Sequence, residues 1–123
     1  MKLHLVDSKN RYTVTGYGAG YLAVNTIRYE LPLVITPDQA PETWPVMQFD
    51  AIDAAAMAAL LEKHPEIIVL GTGATQRFAA PAVLRPLIEA GIGLETMNTP
   101  AACRTYNILM GEGRRVVAAM LLP

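Results

Sequence analysis

Between residues 66 and 122 the chain alternates short apolar runs with helical segments, and no other feature restricts the fold as much. Glu66-Ile67-Ile68-Val69-Leu70 is a continuous apolar run after one acid, the pattern of a strand covered on both faces. Pro81 to Ala90 has helical spacing, with Leu84, Leu87 and Ile88 expected to face inward and Gly91 closing the helix. Pro86 is expected to kink that helix or shorten its first turn. Ile92 to Thr96 reads as the next strand. Thr99 is read as the cap of a helix that starts at Pro100, runs to Met110 and ends at Gly111. Val116 to Leu122 is a further buried strand. Strand–helix–strand–helix–strand with short connections implies parallel strands joined by right-handed crossovers.

The first third reads as strands and turns. Tyr12-Thr13-Val14-Thr15 leads into the glycine-rich Gly16-Tyr17-Gly18-Ala19-Gly20, and Tyr21 to Val24 and Ile27 to Glu30 flank a tight turn at Asn25-Thr26. Leu33 to Thr36 is a β-branched run stopped by Pro37, and the three prolines at 37, 41 and 45 predict an irregular loop pinned by Trp44. Asp50 to His64 reads as a helix with Asp50 as cap, Asp53 in the first turn, Ile52, Ala56 and Leu60 on the apolar stripe, and Pro65 as the stop. Strands joined by tight turns pair antiparallel. The expected fold is therefore α/β: a three-layer sandwich with a central mixed, mostly parallel sheet and an antiparallel N-terminal β part, one domain over residues 1–123.

Charge narrows the partners. The formal net charge is -1, which disfavours the counterion-releasing contacts that nucleic acid requires. It is unevenly spread: +3 over residues 1–29, -6 over 30–66 and +2 over 67–123. The acidic middle reads as a solvated helix face and loop. Cys103 is the single cysteine, so an internal disulfide and an all-cysteine metal cage are excluded. No run of about 18 apolar residues suggests a membrane span. The start, Met1-Lys2-Leu3-His4-Leu5-Val6-Asp7, meets charge too early for a secretory signal and lacks presequence arginines, so a cytoplasmic protein is expected.

In an open parallel sheet, ligands bind beyond the carboxyl ends of the strands. Two connections are expected there: Gly71-Thr72-Gly73-Ala74-Thr75-Gln76-Arg77 and Met97-Asn98-Thr99. The second opens on a helix N-terminus, where free N–H groups favour an anion. Gly71, Thr72, Gly73, Arg77, Met97, Asn98, Thr99 and Arg104 are thus the candidate ligand-binding residues for a small anion. The bland alternative is that Gly71 and Gly73 turn the chain and Thr99 caps a helix. A dinucleotide fingerprint is weak here, with Gln76 at the third glycine position.

Cys103, in the first turn of the same helix, is either a thiol activated by the helix dipole or a small packing residue. Glu95 and Glu112 are lone carboxylates, Tyr106-Asn107 either satisfies buried groups or lines the cleft, and His4 and His64 fit no metal-ligand spacing. No metal or cofactor is implied. Gly-x-Ser-x-Gly, P-loop and HExxH patterns are absent from the sequence.

The C-terminal block Gly93-Leu94-Glu95-Thr96-Met97-Asn98-Thr99-Pro100-Ala101-Ala102-Cys103-Arg104-Thr105-Tyr106-Asn107-Ile108-Leu109, with Glu112-Gly113-Arg114 and Val116-Val117-Ala118-Ala119 after it, resembles a known family signature. Leu70-Gly71-Thr72-Gly73, Tyr29, Leu33 to Ile35, Thr36-Pro37 and Trp44 extend the resemblance over nearly the whole chain. The family is a small, largely uncharacterised α/β group of bacterial and archaeal proteins, a bacterial domain-of-unknown-function branch among them. It also contains the mitochondrial respiratory complex I assembly factor 3 and an adipogenesis-associated protein. The resemblance implies a three-layer fold and a non-enzymatic binding or assembly module with a protein partner; it assigns no catalytic residues. A small-molecule or anion-binding protein using the two loops is the alternative.

Overall fold

A computed structural model describes residues 11–123; the reading of the chain's start, and of His4, lies outside them. Three antiparallel strands come first: β1 (Val14–Gly18), β2 (Tyr21–Val24) and β3 (Ile27–Tyr29), paired in that order. The turn between β2 and β3 holds both Asn25 (φ 48°) and Thr26 (φ 68°) in the left-handed region. Threonine resists that conformation. Here it is held by its neighbours: Thr26 N–H donates to Thr15 Oγ1 (2.9 Å), and Thr13 N–H donates to Asn25 Oδ1 (2.9 Å).

The larger sheet has the order β5-β4-β8-β6-β7. Its strands are β4 (Leu33–Ile35), β5 (Glu42–Thr43), β6 (Ile67–Gly71), β7 (Gly93–Met97) and β8 (Val116–Met120). It is mixed, as expected: β6 pairs parallel with β7 and β8, while β4 pairs antiparallel with β5 and β8. The parallel part is thus the β8-β6-β7 half. The proline-rich stretch is less irregular than its composition predicts, because Glu42 and Thr43 lie between the prolines at 41 and 45 and form β5 against β4. Trp44 does pin it, buried and with its N–H on Pro32 O (2.8 Å).

Three helices complete the layers: α1 (Ala54–Leu60), α2 (Pro81–Glu89) and α3 (Thr99–Gly111). Residues of the central strands alternate between two cores, as a period of two demands. Ile67, Val69, Val116, Ala118 and Met120 face α3 and the small sheet. Ile68, Leu70, Val117, Ala119 and Leu121 face α1 and α2. The result is two α-helices, a sheet, then a helix with its own three-stranded sheet.

Local departures from the sequence reading have simple causes. The segment from Asp50 to His64 is not one helix. Phe49–Ala51 and Leu61–Lys63 are 3-10 turns around α1, and Asp53, not Asp50, caps α1 by accepting from Ala56 N–H at 2.8 Å. Asn98, not Thr99, caps α3, accepting from Ala101 N–H at 2.9 Å. Helix α2 runs through Pro86 without interruption; the carbonyl that a proline leaves unpaired, four residues back, belongs to the exposed Ala82. Leu87 is buried and Leu84 packs on the core, but Ile88 faces solvent.

Candidate functional site

Parallel pairing of β6 with β7 places the two candidate loops side by side, as the topology requires. Thr72 N–H donates to Met97 O (2.9 Å) and Thr99 N–H to Gly73 O (2.8 Å). The same bonds use up the donors that an anion would need. Thr99, fully buried, donates its hydroxyl to Leu121 O (2.7 Å) and accepts from Gly73 N–H (2.9 Å). Ala101 N–H goes to the Asn98 side chain, Ala102 N–H to Asn98 O, and Pro100 has none. The Thr72 hydroxyl closes its own loop, donating towards Thr75 O (2.6 Å) and accepting from Arg77 N–H (3.2 Å).

The two arginines do not converge either. Arg77 pairs with Asp50 (2.9 Å) and lies over the Phe49 ring, 4.3 Å from its centroid. Arg104 donates to the Tyr17 hydroxyl at 3.2 Å, towards the small sheet. Gly71 and Gly73, Thr72, Met97, Asn98 and Thr99 therefore form a locked junction of β6, β7, α3 and β8. At the start of α3 the N–H groups of Ala101 and Ala102, which the anion expectation draws on, already have partners within the protein.

Gly71 serves close packing. A Cβ there would meet Met120 Sδ at 2.7 Å and Thr99 Oγ1 at 2.8 Å. Cys103 is likewise a packing residue. It is fully buried, and loss of solvent pushes its thiol up to about 12, against a smaller opposing pull from Arg104. Desolvation works against the activation that a helix terminus would give the thiol. Tyr106 and Asn107 satisfy buried groups. Tyr106 donates to Tyr12 O (2.7 Å), and Asn107 accepts from Val14 N–H (3.0 Å) and donates to Val14 O (2.8 Å), binding α3 to β1. Burial first, and the Asp38 charge second, raise the Tyr106 hydroxyl above its ordinary pKa.

A cavity of about 560 Å³ lies at the opposite, amino edge of the parallel strands. Val34, Trp44, Leu60 and Val117 supply its apolar wall, and Lys63 and Arg115 belong to its charged rim. The rim is engaged in part: Lys63 pairs with Glu42 (2.6 Å) and Arg115 Nε donates to His64 O (3.4 Å). Beside it, Glu66 accepts from Arg115 N–H (2.9 Å) and pairs with Arg114 (3.3 Å), and the backbone bond, ahead of the arginine charges, lowers its pKa. The sequence reading missed this edge because its residues come from four distant segments. The one signal pointing there was Trp44 among prolines. Among the described residues no group of three or more His, Cys, Asp or Glu is placed to hold a metal ion, and no helix is long and apolar enough to cross a membrane.

Comparison with known proteins adds kinship to this geometry. A family model described as a protein of unknown function (DUF498/DUF598) matches residues 14–121. The chain is 34% identical over 112 residues to a bovine protein named NADH dehydrogenase [ubiquinone] 1 alpha subcomplex assembly factor 3, covering 89% of this chain and 60% of the relative. The chain thus spans under two thirds of that relative's length. It is 30% identical over 101 residues to the "13 kDa major membrane protein" of Francisella tularensis subsp. holarctica, covering 81% of this chain and 82% of the relative. Among solved structures, a Bordetella parapertussis protein superposes with a TM-score of 0.87 at 43% identity, covering 92% of this chain and 97% of its own. A Bordetella pertussis protein described as an Mth938-like domain superposes with a TM-score of 0.80 at 38% identity, over 98% and 92% of the two chains.

Proposed function

This chain belongs to the family of proteins of unknown function designated DUF498/DUF598, and from that premise we propose that it is a non-enzymatic binding or assembly module, resembling the complex I assembly factors, that works by docking on a protein partner. The kinship with the bovine assembly factor carries the reading. The locked loop junction supports it, since the edge where an α/β protein usually places ligand donors has engaged several of them with the protein's own side chains and backbone. We place the protein in the cytoplasm; cell fractionation checks this, with the membrane fraction as the opposing outcome.

The test is recovery of the tagged 123-residue chain from native lysate at gentle salt. A protein partner in fixed ratio, retained through gel filtration, is expected; repeated recovery of the chain alone would overturn the reading. The amino-edge cavity supports a second reading, a small-molecule site, because its volume lies in the range of ligand pockets. Thermal-shift screening with phosphate, nucleotides and carboxylates separates the two. A ligand at 100 times its Kd adds roughly 2.7 kcal/mol of stability, so a flat screen at millimolar ligand removes the second reading.

A further inference from the structure

We propose that the outer edge of β7 is the docking site for an extended segment of a partner protein, one that carries a lysine or arginine opposite Glu95. The proposal deepens the assembly reading and rests on it. Among the described residues, strand β7 ends the larger sheet and pairs only with β6. Along a parallel strand the N–H and C=O of successive residues point alternately to the two sides. Gly93 N–H reaches Glu66 O, and Met97 O accepts from Thr72 N–H, so the backbone groups of 93, 95 and 97 point towards β6. Those of Leu94 and Thr96 point outward.

One of the four outward groups is already occupied. The exposed Gln76 side chain donates its amide to Thr96 O at 3.2 Å, standing where an incoming strand would place its own N–H. The N–H groups of Leu94 and Thr96 and the carbonyl of Leu94 have no partner among the described residues, the bonding pattern that strand addition uses. Natural sheets blunt such edges with prolines, bulges or several charges; β7, Gly93-Leu94-Glu95-Thr96-Met97, has only Glu95.

The α2 flank favours an occupant. Ile88 is 67% exposed. On α2, Ile88 lies one step round from the inward stripe of Val83, Leu84 and Leu87, and the right-handed crossover turns that flank towards β7 and away from α1. On α3, Thr105 lies against Met97 Sδ (3.2 Å). The edge is thus a polar backbone slot with an exposed apolar residue on the α2 layer and one negative charge.

Charge selects the occupant. A residue opposite Glu95 in an antiparallel addition has its Cβ about 5 Å away, so a basic side chain there is favoured and an acidic one opposed. A second copy of this chain brings its own Glu95 to the same edge.

The experiment selects nine-residue peptides from a displayed random library against the full chain, Glu95→Lys and Thr96→Pro. The Thr96 N–H faces outward, so proline there removes no bond to β6; an unchanged unfolding midpoint verifies this. The wild type is expected to select peptides with Lys or Arg at one fixed position, and Glu95→Lys to select Asp or Glu at that position. Thr96→Pro should weaken binding at least tenfold and Gln76→Ala should strengthen it. Bound peptide should slow exchange of the Leu94 and Thr96 amides at least tenfold. Failure to select peptides, selection without charge preference, binding indifferent to Thr96→Pro, or protection elsewhere overturns the proposal. So does a dimer that Thr96→Pro disperses, which puts a second copy on the edge. If the wild type and Thr96→Pro both recover the same lysate partner in fixed ratio, this proposal falls and the assembly reading stands; if neither recovers one, the assembly reading falls.

Discussion

Replacing Thr99 with valine tests the claim that the two loops are locked. Valine keeps the shape and removes the hydroxyl, so Gly73 N–H and Leu121 O lose their partner inside the protein. Each buried group left unpaired costs about 1–3 kcal/mol, which gives about 2–4 kcal/mol for the pair once partial relaxation is allowed. With an unfolding entropy of about 2.1 cal/mol/K per residue, a chain of 123 residues loses about 4 °C per kcal/mol. Thr99→Val should therefore lower Tm by about 8–15 °C. Thr99→Ser keeps the hydroxyl and deletes one methyl, at a cost of about 1 kcal/mol, or about 4 °C. Calorimetry or circular dichroism melting at matched pH reads both. A Thr99→Val midpoint within 3 °C of the wild type, or a Thr99→Ser loss equal to that of valine, refutes the locked junction and returns the Gly73 amide to the pool of available donors.

Three further outcomes follow from the same geometry. Gly71→Ala should destabilise by about 1–3 kcal/mol through overpacking, measured by urea unfolding, since its Cβ would fall 2.7 Å from Met120 Sδ and 2.8 Å from Thr99 Oγ1; an unchanged midpoint contradicts the close approach of β8 and α3 to Gly71. Cys103 should resist alkylation in the native protein at pH 8 and react fully in denaturant, because burial keeps the thiol protonated; native labelling at the rate of a free thiol opposes this. Glu66 has a lowered folded pKa, so its contribution is complete above the ordinary value of 4.5 and is lost as pH falls through the folded value. Glu66→Gln should accordingly flatten the acid side of the stability profile, and a profile parallel to that of the wild type contradicts the assignment.

Most of the layer architecture is legible in the sequence because it depends on period. The runs at 67–70 and 116–122 alternate between two cores, and that alternation needs apolar residues at every position. Pairing of the two loops is legible for the same reason, since parallel neighbours bring their carboxyl ends together. What the loops do is not legible. Whether Thr99 caps a helix or bonds Gly73 and Leu121 depends on a side-chain rotamer and on where β8 ends, and both are set by packing. Sequence favours Asp50 as the cap with Asp53 in the first turn; in the structure Arg77 pairs with Asp50 and Asp53 caps α1. The open side of β7 depends on strand order, which the direction of each crossover decides and no local pattern records.

The bonds from Asn107 to Val14 and from Tyr106 to Tyr12 join residues 93 and 94 positions apart. A ribosome adds about 5–20 residues each second, so β1 to β3 leave the exit tunnel roughly 5–20 s before the helix that roofs them. During that interval their apolar face lacks its cover, and the arrival of residues 99–111 governs when residues 14–29 become safe from clumping. Slowing translation ahead of α3 should therefore raise the demand for chaperones, even though the finished molecule is unchanged.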